Sequence, residues 1–394
     1  MKRLTQLLAI TAAITTSGCN AVEEQTTIRV ATFNVSMEAL NYMPYEKGKR
    51  PVPVGDELIK ALSSNHQQIK NIAKIIQQTN PDIILLNEFD RNDEHHAKAL
   101  ALFKSQYLNS GQSAVNYPYS YQGPVNTGVP ANVDMNANGK TDDNPADTFG
   151  FGYFPGHFGM ALLSKYPIDK QHIRSFQKFK WKDMPGALKP IDPNTNTDYY
   201  DKQAWDVFRL SSKSHWDIPV NINGTKVHII AAHPTPPVFD GPEDRNGKRN
   251  HDEIRLINDY ITPTKASYLY DDNQQTGGLG ANVRFVILGD LNASSVEGDA
   301  INSGIASLLA NPQLQDPLPM SKGGDLYKPD NNNSKHHTAY WGMRADYVLP
   351  STFGFKILDS GVFWPEQNSE QYYLIKDRGA SSDHRLVWAD LQIK

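Results

Sequence analysis

The 394-residue sequence predicts an α/β protein in which helices cover β-sheets. Three observations support this fold class. Apolar, β-rich runs recur along the chain, turn residues flank each run, and segments with helical spacing of apolar residues lie between them. Hydrophobic residues make up 39% and charged residues 21% of the chain, which is ordinary for a globular protein with a large core and excludes disorder throughout.

Six segments are predicted to be strands because they are apolar and bounded by turn-forming residues. They are residues 28–35, 82–89, 159–168, 226–233, 284–291 and 384–393. Residues 56–81 are predicted to be helical, since Ile69, Ile72 and Ile76 fall at helical spacing and Pro81 marks the exit. Residues 95–108 and 250–261 are two further predicted helices.

The N-terminus predicts an export signal over residues 1–18, then a polar tether over 19–27 and a single domain over 28–394. Two basic residues precede a short apolar stretch, and small residues precede Cys19. The Ser-Gly-Cys end resembles the lipobox of bacterial lipoproteins, in which the cysteine is lipidated. Thr16 stands where that pattern usually has leucine. An outer-membrane or surface lipoprotein and a secreted soluble protein are therefore both open.

The chain has one cysteine and a formal net charge of −4. An intramolecular disulfide is excluded, so the stability of the exported protein must rest on packing, with bound ions as a further candidate source. A mildly acidic protein does not hold polyanions tightly by bulk charge, although an acidic site can still recruit a divalent metal that faces phosphate. We expect a monomer whose only membrane contact is the lipid anchor.

Polar side chains stand at the ends of several predicted strands. Any one of them is best explained as a strand cap, but a set of carboxylates, amides and histidines suits phosphate ester hydrolysis. A divalent cation prefers carboxylate and amide oxygens, and a histidine oriented by a carboxylate can take a proton from water. The members of the set are Asn34, Glu88, His233, Asp290, Asn292, Asp383 and His384.

Seven short segments, in order, resemble the motifs of the endonuclease/exonuclease/phosphatase superfamily. They are VATFNV, IILLNEF, GMALLSKYPI, HIIAAHPTP, VILGDLNAS, RADYVLP and SSDHRLVWADL. The match covers residues 28 to 393, nearly the whole predicted mature chain. The resemblance implies a four-layer α/β sandwich, with two central mixed sheets packed face to face, helices outside and an active site at one end.

The resemblance also implies roles for individual residues. Glu88 is the principal metal carboxylate, with Asn34 beside it and Asp383 as a second metal-side ligand. The pair Asp290 and Asn292 orients the attacking water and binds the scissile phosphate. The implied cofactor is a divalent metal, Mg or Mn, with Ca as an alternative.

His384 is implied to be the catalytic histidine, oriented by the carboxylate of Asp346. His233 resembles a second histidine of the pancreatic deoxyribonuclease branch, where it assists protonation of the leaving group. Ser36 departs from the pattern, because some members have an acid two residues after the first asparagine.

Three classes of function remain open. The leading one is a metal-dependent phosphodiesterase, an extracellular or envelope nuclease. Its expected partner is a phosphate ester substrate, with nucleic acid as the candidate ester. The second is a phosphomonoesterase, or a phosphodiesterase of the sphingomyelinase or phospholipase type, with the same fold. The third is an inactive binding protein, which the intact set of site residues disfavours.

Two further segments stand out from the family pattern. Asp134, Asn136, Asn138 and Asp142 have the spacing of a calcium loop, with Asp143 or Asp147 available to complete it. Pro145 occupies the position of the usual last ligand, so an ordinary polar turn is an equal alternative.

The segment after residue 233 carries cations that could clamp a diester, although each alone is better explained as solvated or as holding the loop. They are Arg245, Lys248, Arg249 and His251. The tryptophans at 181, 205 and 216 could line a substrate wall, but tryptophan is more often core.

Overall fold

The computed structural model describes residues 26–44, 47–48 and 51–394. The predicted signal peptide and Cys19 lie outside these residues, as does the predicted tether except its last two positions. Within the described ranges, no helix is both long and apolar enough to cross a membrane.

All six predicted strands are present, with ends that differ by up to four residues from the predicted ones. The strands of the described chain are, in order, β1 (Thr27–Met37), β2 (Ile83–Phe89), β3 (Tyr119–Tyr121), β4 (Met160–Ser164), β5 (Arg174–Ser175), β6 (Ile191–Asp192), β7 (Thr197–Asp198), β8 (His215–Ile222), β9 (Thr225–Ala232), β10 (Phe285–Asp290), β11 (Asp346–Pro350), β12 (Phe355–Val362) and β13 (Val387–Ile393).

The α-helices of the described chain are α1 (Glu57–Ser63), α2 (Gln67–Thr79), α3 (His96–Leu102), α4 (Lys202–Val207), α5 (Arg245–Tyr260), α6 (Asn302–Leu309) and α7 (Lys322–Tyr327). A π-helical segment, Phe103–Leu108, continues α3. Short 3-10 turns occur at Ala39–Tyr42, Lys170–His172, Trp181–Asp183, Ala266–Tyr268, Ser334–His336 and Tyr372–Leu374.

The predicted helix over 56–81 is two helices, α1 and α2. The break falls at residues 64–66, where Asn65 adopts a left-handed φ of 56°. The apolar spacing was nevertheless the right signal for α2, because Ile69, Ile72 and Ile76 are fully buried. Helix α5 begins five residues before the predicted start, since its first turn is charged and carries no apolar period.

The first sheet has six strands in the order β12-β13-β1-β2-β4-β3. Strands β1 and β2 are parallel, while β1 pairs antiparallel with β13. The second sheet has five strands in the order β11-β10-β9-β8-β5, with β9 and β10 parallel and β10 antiparallel to β11. Both large sheets are therefore mixed, and β6 and β7 form a separate two-stranded ribbon.

Four layers result from the packing of these sheets. Val286 and Leu288 of β10 join the core that contains β1, β2 and helix α2, whereas Phe285 and Ile287 join a second core beneath α5 and α6. This alternation means that β10 has one face toward the other sheet and one face toward helices. The four-layer α/β sandwich is confirmed, with the sheets in the middle and helices outside.

Strand β8 is central to the second sheet but was not predicted. Its segment contains Pro219 and the buried carboxylate of Asp217, which accepts a hydrogen bond from the Tyr260 hydroxyl at 2.5 Å. Paired polar groups of this kind can be buried in a strand, but they interrupt the apolar run by which a strand is recognised.

Candidate active site

Asp290 is the last residue of β10 and lies at the centre of the site. The alternation that sends Val286 and Leu288 between the sheets sends Asp290 the same way. Its Oδ2 atom lies 3.4 Å from Nε2 of His233 and 3.5 Å from Nε2 of His384. The structure therefore brings both predicted histidines to one carboxylate oxygen.

Two buried amides join the sheets behind this carboxylate. Nδ2 of Asn34 donates to Oδ2 of Asp290 at 3.1 Å. Oδ1 of Asn87 accepts a hydrogen bond from the backbone N–H of Asp290 at 3.3 Å, and its Nδ2 donates to the Ala232 carbonyl at 3.4 Å. Asn87 was missed by sequence reasoning, although an amide within the apolar run IILLNEF was a signal that could have identified it.

The charge of Asp290 is set by these neighbours. Burial raises the pKa of Asp290 to about 6, and the carboxylate of Asp346 adds to this rise. His384 and the Asn34 amide act in the opposite direction. The carboxylate is thus largely ionised at neutral pH, and its pKa is close to the value that suits a general base.

Glu88 reaches the site through an irregular backbone. It has a left-handed φ of 55°, which non-glycine residues adopt rarely. The register between β1 and β2 also shifts between Asn34 and Met37, where Ser36 has a φ of 46°. Regular alternation would place the side chains of Asn87 and Glu88 on opposite faces, so the left-handed turn redirects the Glu88 carboxylate toward Asn34.

The environment of Glu88 is strongly acidic. Burial raises the pKa of Glu88 to about 7, and the nearby carboxylates of Asp383 and Glu38 contribute to the rise. His384 and Asn34 lower the pKa but do not cancel this effect. The crowded negative charge is a feature that a bound cation would stabilise.

His384 is oriented by Asp346, as the resemblance implied. Nδ1 of His384 lies 2.8 Å from Oδ2 of Asp346, which also accepts a hydrogen bond from the Thr338 hydroxyl at 2.7 Å. Burial alone would lower the pKa of His384, but Asp346 and Asp290 raise it to about 10. In this environment the imidazole is protonated at neutral pH, with Nε2 directed at Asp290.

His233 follows β9 and has the opposite charge preference. Burial lowers the pKa of His233 well below its ordinary value, and Lys213 and His384 lower it further. Within the described residues its Nδ1 atom is buried without a hydrogen-bond partner. Burial thus favours the neutral imidazole of His233, although the carboxylate of Asp290 lies 3.4 Å from its Nε2 atom.

Asp383 and Ser36 form the opposite wall of the site. The Ser36 hydroxyl donates to Oδ1 of Asp383 at 3.0 Å, and Nε of Arg378 lies 3.5 Å from Oδ2. Burial raises the pKa of Asp383, but His384, Arg378 and Ser36 together lower it below its ordinary value. The serine that departs from the family pattern thus supports the Asp383 carboxylate.

Asn292 adopts a left-handed φ of 52° directly after β10. Its backbone N–H donates to Oδ1 of Asp290 at 2.9 Å, and its side chain donates to the Pro234 carbonyl at 3.2 Å. Leu291 between the two polar residues is fully buried in the core beneath α5. Asn292 therefore fixes Asp290 and the segment after His233 in relation to each other.

Sequence reasoning missed a buried pair beside Glu88. Oε2 of Glu38 lies 3.0 Å from Nε2 of His157, and both side chains are buried. The His157 ring stacks on Phe158 with 3.8 Å between centroids. Some members of the family have an acid at the position of Ser36. In this chain the nearby carboxylate that raises the pKa of Glu88 comes instead from Glu38, two residues later.

Lys213 is a second missed residue. It precedes β8, is only 5% exposed, and its carbonyl accepts the Asn126 N–H at 2.9 Å. Burial lowers the pKa of Lys213, while Glu253, Glu88 and Asp290 raise it in part. A lysine in the polar segment SSKSH gives no sign in a single sequence that it is buried beside an active site.

The cations after β9 support the protein rather than forming an open clamp. Arg249 is buried and donates to the carbonyl oxygens of Leu210 at 2.8 Å and Phe149 at 2.6 Å. Lys248 donates to the Glu243 carbonyl at 2.8 Å, and Arg245 pairs with the Glu243 carboxylate. These contacts agree with the alternative that Arg249 and Lys248 hold the loop, because both donate to backbone carbonyl oxygens of the protein.

The remaining members of that segment and the tryptophans have structural contacts. Nδ1 of His251 lies 2.9 Å from Asp252, and Asn250 donates to the Thr235 carbonyl at 2.8 Å, which holds the loop on α5. Trp181 and Trp216 are buried, and Trp205 packs against Trp181 at 5.3 Å. The three tryptophans do not form a substrate wall.

The predicted calcium loop is compact. Oδ1 of Asp134 accepts the N–H groups of Asn136 and Asn138, each at 3.2 Å, and Oδ2 accepts the Gly139 N–H at 2.7 Å. The side-chain amides of both asparagines donate to Oδ2 of Asp143. Asp143, rather than Asp142, is thus the acid that closes the loop, and calcium binding there stays a prediction.

The site residues fit a divalent cation. Glu88, Asp383 and Asn34 supply carboxylate and amide oxygens, which Mg²⁺, Mn²⁺ and Ca²⁺ prefer. Burial is the main cause of the raised pKa of Glu88, and the negative charges of Asp383 and Glu38 add to it. Oδ1 of Asp346 is buried without a hydrogen-bond partner among the described residues. Side-chain ligand atoms of Asp290, Asp346 and His384 all lie within 4.8 Å of one another.

Comparisons with known proteins identify the family of the chain and agree with its fold. A family model described as the endonuclease/exonuclease/phosphatase family matches residues 31–384. No curated protein sequence matches the chain. Among solved structures, an endonuclease/exonuclease/phosphatase protein from Beutenbergia cavernae DSM 12333 has a similar fold, with 17% identity and a TM-score of 0.51. The similarity covers 93% of this chain and 72% of that one.

Two further solved structures are more distantly similar. Sphingomyelinase C from Streptomyces griseocarneus is 14% identical, with a TM-score of 0.44 over 93% of this chain and 99% of that chain. The human Nocturnin catalytic domain is 13% identical, with a TM-score of 0.44 over 93% of this chain and 95% of that chain.

Proposed function

The chain belongs to the endonuclease/exonuclease/phosphatase family of phosphate ester hydrolases, and from this premise we propose that it hydrolyses phosphodiester bonds by in-line attack of water. The observation that carries the proposal is the single carboxylate of Asp290 between Nε2 of His384 and Nε2 of His233. A displacement at phosphorus needs a base for the attacking water, a positive charge near the phosphoryl oxygens and a group that serves the leaving oxygen. One carboxylate and two imidazoles can supply these three functions.

The roles follow from the charges of these groups. Asp290 has a pKa of about 6, so it is ionised at neutral pH and can accept a proton from the attacking water. Asn34 and the Asn292 N–H hold both of its oxygens in place. His384, protonated and held by Asp346, donates an Nε2–H hydrogen bond to a phosphoryl oxygen.

His233 serves the leaving group in this proposal. As a neutral imidazole it donates a hydrogen bond, and a bound phosphoryl anion raises its pKa because negative charge favours the imidazolium. Lys213, buried behind it, adds positive charge on the same side. The negative charge that develops on the leaving alkoxide is thereby compensated by His233 and Lys213.

Enzymes of this family use divalent metal ions. Glu88, Asn34 and Asp383 would hold the ion, and we propose Mg²⁺ or Mn²⁺ as its identity. When bound, such an ion supplies charge compensation for the phosphoryl oxygens. Glu38, which is paired with His157, adds negative charge near Glu88.

We further propose that the protein is exported and anchored through a lipid on Cys19. We also propose that it acts as a nuclease on nucleic acid outside the cytoplasm. The support is the order of basic, apolar and small residues before the only cysteine.

A substrate panel tests the proposed reaction class. Purified protein is given plasmid DNA, bis(p-nitrophenyl) phosphate, p-nitrophenyl phosphate and sphingomyelin, each with and without chelator. We expect nicking and diester cleavage that stop when chelator is added. Faster cleavage of the monoester would favour the phosphomonoesterase alternative, and sphingomyelin as the best substrate would favour the phospholipase-type alternative. Inactivity on every ester with Mg, Mn or Ca present would contradict the enzyme proposal.

A further inference from the structure

A tight turn at residues 338–343, here called the 338–343 turn, carries two exposed aromatic rings to the rim of the active site. Trp341 and Tyr340 are each 41% exposed. The Trp341 ring lies 4.9 Å from the ring of His384, with an interplanar angle of 85°. Two large aromatic side chains are therefore open to solvent next to the proposed catalytic histidine.

The 338–343 turn is fixed to the segment that carries His384. The Tyr340 N–H donates to the Asp383 carbonyl at 2.9 Å, and the Arg385 N–H donates to the Thr338 carbonyl at 2.7 Å. Within the turn, the Thr338 N–H bonds to the Met343 carbonyl at 3.0 Å. The position of the Trp341 ring relative to the reacting groups is thus set by backbone hydrogen bonds on both sides.

The exposed face of Trp341 can accept a flat ligand ring. Its two ring contacts in the described chain, with His384 and with Tyr340, are both perpendicular, at 85° and 80°. Neither contact covers the indole with a parallel stack. An exposed indole that is held rigidly loses little conformational freedom when a second ring stacks on it.

Cations accompany the rings on the same rim. The Arg378 side chain is 56% exposed beside Asp383, with 3.5 Å between Nε and Oδ2. Nζ of Lys328 donates to the carbonyl of Trp341. Exposed aromatic rings beside side chains that neutralise phosphates are the combination with which proteins bind single-stranded nucleic acid.

We propose that Trp341, with Tyr340 beside it, stacks an unpaired nucleobase of the substrate next to the scissile phosphate. This inference rests on the proposed phosphodiesterase function and names its substrate class as single-stranded nucleic acid. Unpaired bases are required because stacking on neighbouring base pairs in a duplex covers the ring faces. Trp341 is a specificity-determining residue in this assignment.

The test compares two oligonucleotides that differ only in their bases. One is oligothymidylate, and the other has the same sugar-phosphate backbone with every base replaced by hydrogen. We expect wild-type kcat/KM to favour the base-carrying strand about tenfold, the size of one stacked base. In Trp341→Ala the ratio of the two kcat/KM values falls to about one, and Trp341→Phe, which retains an aromatic ring, gives an intermediate ratio.

Phe353→Ala is the matched control, because Phe353 is equally exposed at 41% and follows the opposite end of β11 from Asp346. It should keep the wild-type ratio. A Trp341→Ala variant that cleaves both strands more slowly but keeps the ratio would overturn the inference, since Trp341 would then only position His384. The inference would also be overturned if the wild-type protein cleaved bis(p-nitrophenyl) phosphate but cleaved the two oligonucleotides with equal kcat/KM. In that case the phosphodiesterase proposal would stand. Inactivity on every ester would instead contradict that proposal.

Discussion

At the scale of single residues, Asp290 shows how one carboxylate can be kept ionised inside a protein core. Burial alone would favour its neutral form, yet Asn34 donates to one oxygen and the Asn292 N–H donates to the other. The nearby His384 imidazolium adds charge compensation. A base with a pKa near 6 results, which is strong enough to take a proton and still ionised at neutral pH.

His215 gives a pH-dependent prediction that is independent of catalysis. It is buried, Nδ1 lies 2.7 Å from the Ser211 hydroxyl, and burial lowers the pKa of His215 to about 4. The unfolded chain binds the proton near pH 6.5, so below that pH protonation favours unfolding. Stability from this group is complete above pH 6.5, and about 3 kcal/mol is lost as the pH falls to 4.

Chemical denaturation of wild type and His215→Gln between pH 4 and 8 measures the contribution of His215 to the free energy of unfolding. The difference in unfolding free energy should be constant above about pH 7 and should shrink toward lower pH. His95→Gln is the control, since the His95 side chain is 39% exposed. A difference that does not change with pH would show that His215 titrates alike in the folded and unfolded chain.

Some residues of the site can be identified from the sequence because they stand at the ends of predicted strands. Others can be identified only once the folded structure is known. Asn34, Glu88, Asp290 and His233 could be selected because a polar residue closes an apolar run. Lys213 could not, because its burial depends on strands that are distant in sequence. The residues predicted for the site therefore did not include the cation of Lys213.

At the scale of elements, irregular backbone rather than regular strand shapes the site. Ser36 and Glu88 have left-handed φ values, and the β1–β2 register shifts between Asn34 and Met37. Sequence alternation identifies a strand but not the bulge within it, since no glycine marks this position. The direction of the Glu88 side chain was therefore not predictable from period alone.

The loop from Asp134 to Asp147 carries a prediction about calcium. Because Asp134, Asn136 and Asn138 have the spacing of a calcium loop, we predict that calcium raises the unfolding temperature, by about 3 °C at a hundredfold excess over Kd for a chain of this length. The measurement is thermal unfolding in a Glu88→Gln background, which removes the main ligand expected at the active site. Asp134→Ala should abolish the shift.

Asp142→Asn is the matched control for the loop, because Asp143 is the acid that receives both asparagine amides. It should retain most of the calcium-induced shift. An unchanged melting temperature in the parent protein would remove the calcium interpretation and leave a polar surface turn.

At the scale of the whole molecule, the site exists because two sheets meet at one end. Asn34 from the first sheet contacts Asp290 from the second, although they are 256 positions apart in sequence. The order of motifs predicted this architecture through family resemblance. The apolar pattern alone did not, since β8 carries a buried aspartate, only three of the eight residues of β12 are buried, and β5 has two residues.

The attachment of the whole protein to a membrane depends on Cys19 in our proposal. Expressed from its full-length gene in a bacterium, the wild-type protein should sediment with membranes and require detergent for release. Cys19→Ser should appear in the soluble exported fraction, because the variant lacks the thiol that the lipid would modify. Equal partition of both proteins into the soluble fraction would contradict lipidation.

The central claim is tested most directly by diester hydrolysis with one histidine changed and the metal controlled. Chelator-treated wild type should not cleave bis(p-nitrophenyl) phosphate until Mg²⁺ or Mn²⁺ is restored. With metal present, His384→Gln should lower kcat by about 10² to 10⁴ in protein whose circular dichroism shows that it is still folded, while His95→Gln keeps wild-type turnover. Wild-type turnover in His384→Gln, or hydrolysis that persists in chelator, would contradict the claim.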